Sequence, residues 1–114
     1  MSYKGTIQRV RSRIFERQAK KLFSPSELRD VESAIALDPA SWPVIAQSGG
    51  CRKARVPLGS RGRRGGARVV FFYRNDRGLL AFLYVYAKNE KTDLTADDKA
   101  ALRRLVAEIE EAAP

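Results

Sequence analysis

The sequence contains no histidine, one cysteine, one methionine and one tryptophan. Each scarcity removes a class of chemistry. Without histidine the commonest general base and the commonest metal ligand are both missing. Cys51 alone cannot close an internal disulfide, and without histidine beside it there is no recognisable metal site, so neither a metal nor a cofactor is expected. The longest apolar run, "LLAFLYVYA" at 79–87, falls far short of the roughly 20 residues a membrane helix needs. The opening "MSYKGTIQRVRSR" lacks the apolar stretch of a signal peptide. These absences predict a soluble protein that stays in the reducing cytoplasm.

What the chain has in excess is positive charge. Twenty-two Lys and Arg stand against thirteen Asp and Glu, a net charge of +9. That balance predicts a polyanionic partner: nucleic acid, or an acidic membrane or protein surface. Charge alone does not choose among them. At 114 residues and 44% hydrophobic, the chain suits one domain, residues 1–114, around one core.

Periodicity gives the elements. "GTIQRV" is a poorly alternating strand candidate with Ile7 and Val10 as its apolar residues. Ser12 can cap a first helix in which Ile14, Phe15, Ala19, Leu22 and Phe23 recur at helical spacing, while Arg13, Arg17, Lys20 and Lys21 fill the remaining arc. "SPSE" starts a second helix, with Ser24 as cap, Pro25 at the first position and Glu27 returning a hydrogen bond. Leu28, Val31, Ala34 and Ile35 form its stripe, and Asp38-Pro39 ends it. A loop follows, with Trp42 and Ile45 plugging the edge of the core.

The second half reads as strands. "CRKARVP" sends Ala54 and Val56 to one face and Lys53 and Arg55 to the other. "ARVVFFYR" and "LLAFLYVYA" are joined by the turn signal "NDRG". The last strand is apolar on both faces and is expected at the centre of the sheet. In "TADDKAALRRLVAEIEEAA" Thr95 caps a final helix, Asp97 and Asp98 suit its positive end, and Leu102, Leu105, Val106 and Ile109 face the core. The order predicts an α+β fold: a small antiparallel sheet with two N-terminal helices and one C-terminal helix, which fill one of its faces.

Residues 52–73, "RKARVPLGSRGRRGGARVVFFY", carry seven cations (Arg52, Lys53, Arg55, Arg61, Arg63, Arg64 and Arg68) and no acid. Blocking a strand edge against aggregation needs one or two charges. If the flanking strands pair antiparallel, Lys53, Arg55 and Arg68 converge on one surface, with Arg61, Arg63 and Arg64 on the loop beside it. Such a cluster repels itself until a polyanion binds, and each phosphate neutralised also releases counterions. "GSRGRRGG" precedes a strand, so it matches neither the P-loop nor the dinucleotide fingerprint.

"GGCRKARVPLGSRGRRGGARVVFFYRND" followed by "LYVYAKNEKTDLTADDKAALRRLV" resembles the RelE/HigB superfamily of toxins from bacterial toxin-antitoxin operons, in the HigB-like branch with a Tyr-Gly/Ala-Lys-Asn-Glu signature. The resemblance runs over about residues 14–109. It implies a toxin that enters the ribosomal A site and cleaves mRNA there, acting as a metal-independent endoribonuclease, and that is silenced by an antitoxin from the same operon, usually a helix-turn-helix protein in this branch. The family's cationic strand residues fall on Lys53 and Arg55, its arginine after the glycine loop on Arg68, and its signature lysine on Lys88. Two positions depart from some relatives: Asn89 stands where they have arginine, and Thr95 where they have a catalytic tyrosine.

Arginine suits the grip on phosphate oxygens and not proton transfer, so Arg55 and Arg68 are the candidates for transition-state charge. A lysine crowded by cations has its pKa lowered, which makes Lys53 or Lys88 the candidate for proton exchange. Tyr86, two residues before Lys88, is a candidate for stacking on a base or orienting the hydroxyl, with core packing as its plainer role. Glu90 and Asp93 are bases in principle, and capping or salt bridging at the start of the last helix is the blander reading. The alternative functions are a ParE-like, non-nucleolytic toxin acting on DNA gyrase, and a plain nucleic-acid-binding module.

Overall fold

The computed structural model describes residues 7–58 and 66–112. The candidates Arg61, Arg63 and Arg64 lie outside the described residues. The elements are β1 (Gln8–Arg11), α1 (Arg13–Leu22), α2 (Pro25–Leu37), β2 (Arg52–Val56), β3 (Ala67–Arg74), β4 (Leu79–Ala87) and α3 (Ala96–Ala112). They form a four-stranded sheet in the order β1-β4-β3-β2. β2, β3 and β4 pair antiparallel, and β1 lies parallel to β4 from Gln8↔Leu79 to Arg11↔Phe82, so the sheet is mixed. β4 is an inner strand, as its two apolar faces require.

The helix starts follow their sequence signals. Ser12 Oγ accepts from the Phe15 amide at 2.9 Å, and Ser24 and Glu27 form a complete capping box at the start of α2. Thr95 and Asp98 exchange the equivalent pair of bonds at α3, 3.1 Å and 2.8 Å. The stripes are narrower than the sequence suggests. On α1 the buried line is Phe15 and Ala19, continuing to Phe23, and Ile14 is 42% exposed because it lies about 100° around the helix from Phe15. On α2, Val31 and Ile35 are buried, Ala34 is exposed, and Glu32 is buried. Arg11 explains Glu32: its Nε and Nη2 donate to the two carboxylate oxygens at 2.7 and 2.8 Å and tie β1 to α2.

Each face of the sheet carries its own apolar cluster. α1 and α2 close one face, where Phe15, Ala19 and Ile35 meet Val69, Phe71, Leu80 and Phe82. The Phe15 and Phe82 rings stack with centroids 5.5 Å apart. The helices were expected to fill one face, but α3 crosses to the other. There Leu102 and Val106 cover Cys51, Phe72, Ala81 and Leu83. Near the ends of β2 and β3 on that side, Arg55 is exposed and Lys53 and Arg68 are half-buried.

A register shift between Val70 and Phe71 decides what stands there. Val70 pairs with Tyr84 and Phe71 with Phe82, which leaves Leu83 as the extra residue of a bulge. Before it, Leu80 and Phe82 face α1; after it, Val85 and Ala87 do. Tyr84 and Tyr86 are thereby turned to the α3 side. The backbone groups the bulge would strand are satisfied from α1: Ser12 Oγ donates to the Leu83 carbonyl at 2.7 Å, and the Val85 amide donates to Gln18 Oε1 at 2.9 Å.

At the end of the 59–65 connection, Gly66 has φ +62°, and a Cβ there would lie 2.2 Å from the Val56 carbonyl oxygen. Only glycine fits so close a crossing.

Candidate nucleic-acid interface

The sheet register assembles the site. Arg55 pairs with Arg68, and Arg68 with Tyr86; in the next row Lys53 pairs with Val70, and Val70 with Tyr84. Side chains directly opposite in an antiparallel pair have Cβ atoms roughly 4.5–5.5 Å apart. Lys53, Arg55 and Arg68 therefore stand side by side on the α3 side of the sheet, near the ends of β2 and β3. Two guanidinium groups opposite one another repel, and a polyanion relieves that repulsion. Arg55 is exposed, and Lys53, Arg68 and Lys88 are half-buried.

The cations differ in what holds them. Arg68 Nη1 donates to the Ala67 carbonyl at 3.3 Å, and Lys88 Nζ to the Thr92 carbonyl at 2.8 Å. Lys53 Nζ lies 4.0 Å from Asp93 Oδ1. Lys53, expected to be crowded by cations, thus has a carboxylate beside it. Arg52 is the exception among the described cations of the basic stretch. Its Nη1 donates to the Trp42 carbonyl at 2.7 Å and to the Ala40 carbonyl at 3.2 Å, so it supports the loop that covers the outer edge of β2. The bonds Ile45 N–H to Cys51 O and Lys53 N–H to Pro43 O complete that cover.

Tyr86 lies on this face but is 6% exposed, which leaves little of its ring for stacking on a base. Its hydroxyl is buried and has no hydrogen-bond partner among the described residues. Burial pushes its pKa up, the Asp93 charge adds to this, and Arg68 and Lys91 pull the other way. Leaving a buried hydroxyl unpaired costs about 1–3 kcal/mol. Tyr84 flanks it at 5.9 Å between ring centroids.

Lys91 and Asp98 brace this pair, and neither was singled out as a partner of the tyrosines from sequence. Lys91 Nζ sits 5.5 Å over the Tyr84 ring, 3.4 Å from its hydroxyl and 2.6 Å from Asp98 Oδ2. The Asp98 bond is the main cause that raises the Lys91 pKa. The sequence signal was the Thr-x-x-Asp start of α3, which places Asp98 but does not reveal that Lys91 folds back onto it. Asn89 is exposed in the turn after β4, and Thr95 serves as a helix cap.

Among the described residues no group of three or more His, Cys, Asp or Glu is placed to hold a metal ion, and no helix is long and apolar enough to cross a membrane.

The fold is similar to that in the crystal structure of the intact E. coli RelBE toxin-antitoxin complex, with a TM-score of 0.51 and 14% identity over 69% of this chain and 93% of that one. The likeness is one of fold. A family model described as the RelE toxin of the RelE/RelB toxin-antitoxin system matches residues 7–113. It matches the family as a whole and does not single out the HigB branch. With a match of that extent over this three-helix, four-stranded architecture, the chain belongs to the RelE toxin family.

Proposed function

We propose that this toxin cleaves mRNA in the A site of translating ribosomes, in the cytoplasm and without a metal, and that an antitoxin silences it. The observation that carries this reading is the Arg55–Arg68 pair, with Lys53 in the adjacent row, on the α3 side of the sheet where Arg55 is exposed. In the reaction the 2′-oxygen attacks the adjacent phosphorus in line, and the bond to the 5′-oxygen breaks. The products are a 2′,3′-cyclic phosphate and a 5′-hydroxyl. Arg55 and Arg68 hold the non-bridging oxygens as charge builds on them. Lys53 and Lys88 are the candidates for moving protons, one from the 2′-hydroxyl and one to the leaving oxygen.

Histidine is absent, so proton transfer is the weaker half of this machinery. Holding the RNA in an in-line geometry lowers the barrier by several kcal/mol, and the ribosome supplies that geometry. Free RNA is therefore a poor substrate. Arg61, Arg63 and Arg64 contribute further contacts to the RNA backbone in this reading. The antitoxin meets the basic surface with an acidic segment.

The test is to add the protein to translating ribosomes and map new RNA 5′ ends. Cuts within A-site codons are expected. Gyrase-dependent DNA breaks in their place would support the ParE-like alternative, and neither kind of break would leave a binding module.

A further inference from the structure

One loop engages both Lys53 and Lys88. Lys88 Nζ donates to the Thr92 carbonyl, and Lys53 Nζ faces Asp93 Oδ1 at 4.0 Å. Asp93 is fixed there although its side chain is 75% exposed. Its Oδ1 accepts from the Leu94 amide at 2.8 Å, and Leu94 is buried in the cluster beneath α3. That amide bond, followed by Lys53, Lys99 and Lys88, holds the carboxyl below the ordinary carboxylate range. The charged and titratable groups around it come from three sides: Lys53 on β2, Tyr86 on β4 and Lys99 on α3. An anionic oxygen thus already stands beside the Lys53 ammonium. Arg55 has no such carboxylate among the described residues.

We infer that Asp93 is an internal counterion for Lys53, which an RNA phosphate must displace to gain that cation. The inference rests on the reading of this face as RNA-binding. An exposed pair is weak and exchangeable, so the carboxylate lowers affinity without closing the site. Exchange of one anion for another also removes Lys53 from the counterion release that drives binding. Asp93 is a positioning residue that keeps the grip on unoriented RNA loose and leaves the ribosome to supply the remainder.

The experiment measures binding of a fluorescein-labelled short single-stranded RNA by anisotropy, across a salt series, for the full chain and its variants. In Asp93→Asn the side-chain oxygen still accepts from Leu94 while the charge is lost. It is expected to bind about three- to fivefold more tightly at low salt, with a log–log salt slope steeper by about 0.7. Asp93→Glu is expected to restore wild-type behaviour, and in a Lys53→Ala background Asp93→Asn is expected to have a clearly smaller effect. Equal affinity and slope for wild type and Asp93→Asn, or an undiminished effect without Lys53, would overturn the inference and leave the RNA-binding reading standing. Failure of the wild type to bind RNA at low salt would overturn both.

Discussion

β3 and β4 present one row of side chains to α1 and α2 and another to α3, and the two rows have different chemistry. On the first, Val69, Phe71, Leu80, Phe82, Val85 and Ala87 run the length of the sheet under two helices. On the second, cations share the rows with buried residues: Lys53 pairs with Val70, and Arg68 stands between Arg55 and the buried Tyr86. One face is spent on stability. The other also keeps charges that a core excludes. The Leu83 bulge ties the two together, because it turns Tyr84 and Tyr86 away from the first core toward the cations.

The sharpest way to break this comparison is to damage the closed face. Phe82→Ala removes a buried ring stacked on Phe15 and should cost about 3–5 kcal/mol in urea unfolding. A loss below about 1 kcal/mol would show that this face is not the main core. Leu102→Ala loosens α3 over the other face and should cost about 2–4 kcal/mol. Burial raises the pKa of the Cys51 thiol to about 11, against a weaker opposing bond from Ser48, so Cys51 should resist alkylation in the native wild type. In Leu102→Ala it should react faster, and an unchanged rate would place its protection elsewhere.

Ser12→Ala removes both the α1 cap and the donor to the bulged Leu83 carbonyl. It should cost about 1–2 kcal/mol. RNA cleavage should also fall, since the bulge sets the tyrosines beside Arg68; loss of stability with full cleavage would separate the bulge from the site.

The smallest effect concerns the brace. Burial works against the Asp98 charge, but Lys91 and the Thr95 amide and hydroxyl outweigh it and bring its pKa below the usual value. A lowered carboxylate adds stability above its unfolded pKa of about 3.9 and loses it as pH falls through the lower folded value. Wild type should therefore exceed Asp98→Asn by a constant margin, under about 1 kcal/mol, from pH 7 to about 4.5. Below that the two melting curves should converge; a gap that widens in acid would give the shift the opposite sign.

Local signals were legible in the sequence. Ser12, the "SPSE" box and Thr95 mark helix starts, and the alternation of "CRKARVP" places Lys53 and Arg55 on one face because a strand has period two. The non-local features were not. "LLAFLYVYA" is apolar at every position, so a parity flip at Leu83 leaves no trace in the pattern. The parallel pairing of β1 depends on β4, some seventy residues away in the chain. Glu32 reads as a surface residue until Arg11 is brought to it from β1. Asp93 reads as part of a helix start, and its position beside Lys53 comes from the turn that follows β4.

The most direct measurement compares wild type with Arg68→Ala for A-site mRNA cutting on translating ribosomes and, in parallel, for antitoxin binding. The account predicts that cutting falls by roughly a hundredfold or more while the antitoxin still binds. Cutting at close to the wild-type rate would contradict it, because the reaction would then proceed without the guanidinium beside Arg55 on the sheet.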